Sequence, residues 1–305
     1  MLLPLIFAAA AGQPAAAPAK TSLQTRIEQA VRTLRGSMGV AAKDLTTGRS
    51  VFVNADLPFP TASVIKVAVM VEVFHQAAEG RLRRDETITL EESSKVGGSG
   101  VLLRLHSGLQ LTLDDLLDLM MTVSDNTATN LLIGKVGTPN VVTRLQSYGL
   151  KRTKLLRPTF RDGKPDVSPE DEREFGLGVT TPREMARLME LIALGQVVDR
   201  EASEEMIKIM QEQAFRVMIP RSLPESGRVL VADKPGWDLE KRPDAKGVRG
   251  QVRGDAAIVT IPRGRYVIAI HARHVQDTSW SPDNAATLLA AKISRMIYDA
   301  WSGGR

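Results

Sequence analysis

The sequence predicts an α+β protein in which an antiparallel sheet, built from both ends of the chain, packs beside an all-helical lobe. Three observations indicate this fold. Segments with strand character lie near the two ends of the chain, the long middle part has helical periodicity, and well-marked helix starts occur in that middle part. A cleft between the two lobes is the natural place for a functional site.

Composition limits the functions that the chain can have. It contains 305 residues, of which 43% are hydrophobic and 25% charged, as in soluble globular proteins. The net charge of +5 is spread along the chain, so the sequence does not favour nucleic-acid binding. The absence of cysteine excludes disulfides, thiol nucleophiles and thiolate metal sites.

The N-terminus predicts a secretory signal peptide over residues 1–20, and therefore a periplasmic or secreted protein. An apolar run, Leu2–Gly12, is followed by small residues, and the first charge is Lys20. No basic residue precedes the run and Pro4 interrupts it, so a low-complexity tail is the alternative. The run is shorter than the roughly 20 residues needed to span a bilayer, and no later segment qualifies.

The first segments after the leader predict one helix and two strands. Apolar residues recur at helical spacing through residues 22–35, and Gly36 marks the end of this helix. Residues 38–45 and 50–54 predict antiparallel strands joined by a tight turn at Thr47-Gly48.

The middle of the chain predicts helices. Residues 63–75 and 112–123 form two of them, and a third begins at Thr181. Capping boxes mark the last two starts and are completed by Asp115 and Glu184.

Strand character returns at residues 228–233, 255–261 and 266–272, and residues 262–265 form a hairpin turn between the last two. A final amphipathic helix is predicted to begin at Ser281-Pro282. The predicted α/β lobe therefore consists of residues 21–60 and 205–305, and the all-helical lobe consists of residues 61–204.

One pair of residues suggests nucleophilic catalysis. Ser63 and Lys66 are three apart at a helix start, so their side chains share one helical face. A lysine can take the proton of a serine hydroxyl only if burial or a second cation lowers its pKa. The apolar neighbours Val64 and Ile65 are consistent with burial. The alternative is a serine that caps the helix and a solvated lysine.

Two further short motifs have equally simple alternatives when each is taken alone. Ser124-Asp125-Asn126 follows an apolar helix and consists of residues that commonly cap helices. Lys234-Pro235-Gly236 follows an apolar strand and is typical of a turn.

Together and in this order, the three motifs resemble the signature of the class A β-lactamase and penicillin-binding serine hydrolase superfamily. The resemblance covers most of the chain after the leader. It implies the class A β-lactamase fold and an active site in the cleft between the lobes.

The resemblance also implies roles for single residues. Ser63 would be the nucleophile, Lys66 its activator, Ser124 the proton relay to the leaving nitrogen, and Lys234 a source of positive charge. Asn126 would bind the substrate amide, and the backbone N–H groups of Ser63 and Trp237 would form the oxyanion hole beside Gly236. Arg253 would bind the substrate carboxylate; a solvated arginine at a strand end is the alternative.

Two departures from the family pattern concern chemistry. Pro235 stands where the family has a hydroxyl residue, so carboxylate recognition lacks one donor. The chain also lacks the glutamate motif that activates the deacylating water. Acidic residues of the loop over 160–178 are candidates for that base, although such residues are often only solvated; they are Asp166, Glu170, Asp171, Glu172 and Glu174.

The sequence thus predicts a serine hydrolase that opens β-lactam rings through a Ser63 acyl-enzyme. The alternatives are a D-alanyl-D-alanine peptidase that deacylates slowly and a catalytically silent binding protein. The expected ligand is a small-molecule β-lactam or a cell-wall peptide, and the expected state is a monomer.

The remaining features predict no metal and no other cofactor. The four histidines lack zinc-ligand spacing; they are His75, His106, His271 and His274. Residues 97–100 lack the ending of a phosphate loop and are interpreted as a rim loop. The charged segment over 238–250 is expected to form an exposed loop near the site entrance.

Overall fold

Strands from both ends of the chain form one five-stranded antiparallel sheet, in the order β2-β1-β10-β9-β8. The computed structural model describes residues 21–243 and 247–303, so the proposed signal peptide lies outside the described residues. Helices in these ranges are α1 Leu23–Val31, α2 Lys66–Ala78, α3 Leu113–Thr122, α4 Asn126–Val136, α5 Thr138–Ser147, α6 Pro169–Phe175, α7 Pro182–Ala193, α8 Arg200–Gln211 and α9 Ala285–Ser302. Strands are β1 Ser37–Asp44, β2 Ser50–Val53, β3 Phe59–Pro60, β4 Thr87–Thr89, β5 Gln110–Thr112, β6 Lys154–Leu155, β7 Gly178–Thr180, β8 Leu230–Leu239, β9 Gln251–Ile261 and β10 Gly264–Val275.

β1 and β10, the first and the last strand along the chain, are direct neighbours in the sheet. β1 runs antiparallel to β10 with Ser37 opposite Arg273 and Asp44 opposite Tyr266. This pairing confirms the predicted α+β fold with a sheet built from both termini. The rest of the sheet is made of hairpins, as the turn residues between β1 and β2 and between β9 and β10 predict.

Alternate residues along β10 enter two different cores. Tyr266 and Ile268 pack under α1 and α9, whereas Val267 and Ala269 pack under the helices on the other face. Because successive strand side chains point to opposite faces, one strand contributes to both cores. Burial of each large apolar side chain stabilises the fold by roughly 1.5–3 kcal/mol.

Several element boundaries differ from the predicted ones, among them the end of α1 and the start of α9. Helix α1 ends at Val31, four residues before the predicted end, and the following residues form turns that lead into β1. Helix α9 begins at Ala285, because the side chain of Asn284 accepts a hydrogen bond from the Ala286 amide and caps it there. The predicted start at Ser281-Pro282 is therefore wrong by one turn.

Only one of the two predicted capping boxes is complete. Thr112 and Asp115 bond to each other's backbone amides in both directions. Thr181 accepts from the Glu184 amide, but the Glu184 carboxylate accepts from the Arg152 and Thr153 amides instead of returning to the cap. Glu184, predicted to cap α7, thus fixes the two residues that precede β6.

The alternative interpretation of Lys234-Pro235-Gly236 as a turn is wrong. All three residues lie within β8, with Lys234 opposite Ala256 and Gly236 opposite Gly254 on β9. β9 is also longer than predicted and begins at Gln251. The division into two lobes stays a proposal; helix α8 spans the boundary that we place after residue 204. Over the described ranges, no helix is both long and apolar enough to cross a membrane.

Candidate active site

Ser63 lies in a short 3-10 turn, Ala62–Ile65, that leads directly into α2. The turn rests on β8: a Cβ atom added to Gly236 would lie 2.6 Å from the Ser63 nitrogen. Only glycine permits this approach of the strand to the nucleophile's backbone. Ser63 is half-buried and lines a cleft of about 440 Å³.

Lys66, three residues after Ser63, is fully buried and makes three polar contacts. Its Nζ donates to the Ser124 carbonyl at 2.8 Å, to Ser124 Oγ at 3.0 Å and to Asn126 Oδ1 at 2.9 Å. Burial, together with the charge of Lys234, places the pKa of Lys66 well below its usual value. Both effects favour the neutral amine, which is the form of Lys66 that can accept a proton.

In the Ser124-Asp125-Asn126 motif, one residue caps a helix and the other two contact Lys66. Asp125 caps α4 by accepting from the Ala128 amide at 2.9 Å, and it also holds the amides of Val101 and Leu102. Ser124 has a positive φ of 57°, which turns it out of the helical path toward Lys66. The helix-cap interpretation therefore holds for Asp125 alone.

Lys234 supplies a second buried amine. Its Nζ donates to the Pro235 carbonyl at 3.1 Å, and burial lowers the pKa of Lys234 to about 8. Two buried carboxyl groups, Asp233 and Asp255, oppose this effect by favouring the charged form of Lys234. The second cation that the depressed Lys66 pKa requires is thus present.

Arg253 is buried, with 3% of its surface exposed, so the solvated alternative is wrong. Its guanidinium lies 6.0 Å from the ring centre of Trp237 and 5.7 Å from that of Trp280, and donates to the Ser279 carbonyl at 2.7 Å. Its Nε has no hydrogen-bond partner among the described residues. Burial lowers the pKa of Arg253 to about 10, a value at which the side chain is still charged at neutral pH.

The acidic loop residues lie outside the lining of the cleft. Each bonds elsewhere in the described structure: Asp166 to Thr138, Glu170 to Ser168, Asp171 to Arg152 and Lys154, Glu172 to Arg157 and Lys241, and Glu174 to Arg273. The carboxylates that do line it are Asp162 and Asp238. Asp162 is paired with Arg157 and with Lys241, and Asp238 accepts from the Leu239 amide at 2.7 Å.

Thr159 and Phe160 line the cleft and escaped the sequence analysis. The Asn130 side chain bonds to both backbone groups of Thr159, donating to its carbonyl at 3.1 Å and accepting from its amide at 2.8 Å. The buried Thr159 hydroxyl has no partner among the described residues. No local pattern marks this position, because the clamp joins residues 29 apart in the chain.

The rim of the cleft contains the two segments expected there. Gly98 and Ser99 line it, and the Asn126 side chain donates to the Gly97 carbonyl at 3.0 Å. From the charged segment over 238–250, Lys241 and Arg249 line the opposite side, while Asp238 and Leu239 continue β8; residues 244–246 lie outside the described residues. In the described ranges, no cluster of three histidine or acidic side chains is arranged to hold a metal ion.

Comparisons with known proteins agree with this geometry. Residues 21–301 match the family model described as the beta-lactamase enzyme family. Beta-lactamase L2 of Stenotrophomonas maltophilia is 30% identical over 211 residues, covering 68% of this chain and 67% of that protein.

Two solved structures are similar over nearly the whole chain. A β-lactamase from Sphaerobacter thermophilus superposes with a TM-score of 0.78 at 28% identity, covering 91% of this chain and 96% of that one. PBP-A superposes with a TM-score of 0.76 at 28% identity, covering 92% and 96%. A mutant of PBP-A was solved as an acyl-enzyme complex with penicillin G.

Proposed function

Because the chain belongs to the β-lactamase enzyme family and is a hydrolase of β-lactams with the class A fold, we propose that it works through an acyl-enzyme formed on Ser63. The observation that carries the proposal is the buried Lys66, which is bonded to Ser124 and to Asn126; Asn126 lines the same cleft as Ser63. A buried lysine of lowered pKa is the base that a serine nucleophile needs.

In the acylation step, Ser63 Oγ attacks the lactam carbonyl carbon and gives its proton to the neutral Nζ of Lys66. The new C–O bond forms as the carbonyl oxygen becomes an oxyanion. When the C–N bond breaks, Ser124 Oγ passes a proton to the leaving nitrogen and regains one from Lys66, which lies 3.0 Å away. The product is an ester on Ser63, which a water molecule then hydrolyses.

The backbone supports the developing negative charge. The N–H groups of Ser63 and Trp237 are the proposed donors, held together by the contact of Gly236 with the Ser63 backbone. Such fixed donors stabilise a tetrahedral oxyanion without reorganisation during the reaction.

Substrate binding is assigned to the remaining polar groups. Asn126 would form a hydrogen bond with the amide of the substrate's acyl side chain. Lys234 and Arg253 would attract the substrate's carboxylate. Because Pro235 cannot supply the hydroxyl donor, this attraction would act through the charges of the two buried side chains. We also propose that the protein acts as a monomer exported by its first 20 residues.

A second candidate is a penicillin-binding peptidase whose acyl-enzyme persists. The observation that favours it is that the five candidate loop acids do not line the cleft and that each is bonded to another side chain. Asp162, the loop acid that does line it, is paired with Arg157 and Lys241. Fast hydrolysis of the ester needs a base for the attacking water, and this site offers no free loop carboxylate for that step. A silent binding protein is disfavoured by the complete Lys66, Ser124 and Asn126 cluster.

The test is to mix the mature protein with benzylpenicillin and follow its intact mass and the remaining drug. Wild type and the matched cleft variant Ser99→Ala should gain the mass of the drug, whereas Ser63→Ala should gain none. An adduct that disappears as drug is consumed supports the β-lactamase, and one that persists supports the second candidate. Absence of both a Ser63-dependent adduct and Ser63-dependent consumption of the drug would contradict both.

A further inference from the structure

Phe160 covers one end of the cleft with an exposed aromatic ring. It lines the cleft and leaves 60% of its surface exposed, although large aromatic side chains usually bury most of theirs. Its φ is +54°, a conformation that non-glycine residues adopt at a cost. The Asn130 clamp on the preceding residue, Thr159, holds the backbone in place.

The ring lies directly across from the rim loop. A Cβ atom added to Gly98 would lie 2.9 Å from Cζ of Phe160 and 2.6 Å from Nδ2 of Asn126. Gly98 also has a positive φ of 83°, so glycine is required there for both conformation and space. Phe160 therefore sits beside the amide group to which the proposed function assigns the substrate's acyl amide.

The flank next to Phe160 is closed by charged groups that are already paired. Lys241 reaches Asp162 at 3.1 Å and Glu172 at 3.3 Å, and Arg157 bonds to Glu172 at 3.0 Å. These pairs neutralise the charges of Lys241, Asp162 and Glu172 on this side of the cleft. The exposed ring of Phe160 is an apolar surface offered beside Asn126.

We infer that Phe160 is a specificity-determining residue that binds an aromatic or apolar acyl side chain of the substrate. This inference rests on the proposed function, since Asn126 fixes the direction of the acyl group. An acyl side chain leaving the amide at Asn126 would stack on the exposed ring, and a substrate without one would gain nothing from it.

The experiment compares benzylpenicillin, which carries an aromatic acyl side chain, with 6-aminopenicillanic acid, which carries none. The second-order rate constant of acylation is measured for wild type, Phe160→Ala, Phe160→Leu and the distant exposed control Leu194→Ala. We expect Phe160→Ala to lower the constant for benzylpenicillin about tenfold, with Phe160→Leu intermediate. The constant for 6-aminopenicillanic acid should change less than about twofold.

Equal losses with both compounds, no loss, or a gain with benzylpenicillin would each overturn the inference. Thermal melts show whether the variants are folded. If Phe160→Ala is not folded, the comparison is made with Phe160→Leu. Failure of the proposed function would appear separately, as a lack of Ser63-dependent acylation in wild type, and would remove the inference with it.

Discussion

Lys66 and Lys234 are both buried, yet their surroundings suit them to opposite protonation states. Lys66 has three bonded oxygen atoms but stands near a second cation, and burial lowers its pKa strongly. Lys234 has two carboxyl groups near it, which oppose the effect of burial and leave its pKa at about 8. The surroundings of Lys66 thus favour its neutral form, whereas the carboxyl groups near Lys234 favour its charged form.

The pKa of Lys234 predicts how the acylation rate decreases in the high-pH limb of its pH profile. As pH rises through about 8, Lys234 loses its proton and with it the attraction for the substrate carboxylate, so the acylation rate should fall. Lys234→Arg keeps its charge and should move that limb above pH 10. The measurement is the pH profile of benzylpenicillin acylation; limbs at the same pH in both proteins would contradict the assignment.

Thr159 predicts a change in the second half of the reaction. Thr159 lines the cleft, and its buried hydroxyl has no partner among the described residues. A carboxylate at this position would be able to take the proton of an attacking water. We expect Thr159→Glu to shorten the lifetime of the Ser63 ester by about tenfold or more.

Thr159→Gln is the matched control, since it has the same length but no base. Lifetimes are read from the decay of the adduct mass after excess drug is removed. Equal shortening by both substitutions would show that side-chain size, and not a base, is responsible.

Among the residues of the site, the sequence identifies those that belong to short motifs. Ser63, Lys66, Ser124 and Asn126 were found because each motif keeps its members within a few positions, and the structure brings Lys66, Ser124 and Asn126 into contact. Thr159 and Phe160 were missed because Asn130 and Gly98 position them from distant parts of the chain. Counting along the loop instead pointed to Asp166, which bonds to Thr138.

Strand β8 combines a structural and a catalytic task. Its residues pair with β9 in unbroken register from Leu230 to Leu239 while Gly236 touches the turn that holds Ser63. The sequence suggested a turn at Lys234-Pro235-Gly236 because proline and glycine usually interrupt strands. The contact with the Ser63 turn, which no local pattern reveals, explains the glycine.

The contact gives a direct prediction for β8. A methyl group at Gly236 would meet the Ser63 nitrogen at 2.6 Å, so Gly236→Ala should displace the turn or the strand. We expect the free energy of unfolding to fall by about 1–3 kcal/mol and acylation to be largely lost.

Gly227→Ala is the control, since a Cβ atom there meets nothing within 4 Å. Denaturant unfolding and the benzylpenicillin adduct are the measurements. Wild-type stability and acylation in Gly236→Ala would show that β8 does not seat the nucleophile.

On the scale of the whole molecule, the sequence predicted the architecture but not the end points of its elements. Alternating apolar residues identified the strands, and the closing helix was recognised from its apolar stripe. Its start was misplaced because Asn284, a better cap in this setting, follows the Ser281-Pro282 signal. Long-range pairs, such as Glu184 with the Arg152 and Thr153 amides, likewise decide features that local patterns cannot specify.

The stability of the whole protein should depend on Asp255. Burial raises the pKa of this carboxyl group to about 7, so between pH 4 and 7 the folded chain holds a proton that the unfolded chain has lost. Raising the pH through this range therefore destabilises the fold. This group contributes at most about 1.4 kcal/mol of lost stability per pH unit.

Asp255→Asn keeps an acceptor for the Ile219 amide but cannot ionise. Its free energy of unfolding should therefore fall less between pH 5 and 7 than that of wild type. The exposed variant Asp283→Asn should follow wild type. Parallel pH dependence in all three proteins would contradict a buried, titrating Asp255.

The pairing of β1 with β10 has a consequence for how the protein is made. A ribosome that has reached residue 229 has already released Ser63, Lys66 and Ser124, but β8, which seats Ser63, has not yet been synthesised. β1 also cannot pair with β10 until β10 has been synthesised, so the sheet forms late. A nascent chain without β8 therefore lacks the contact that seats Ser63, and we expect reactivity with β-lactams only after the carboxyl-terminal strands have emerged.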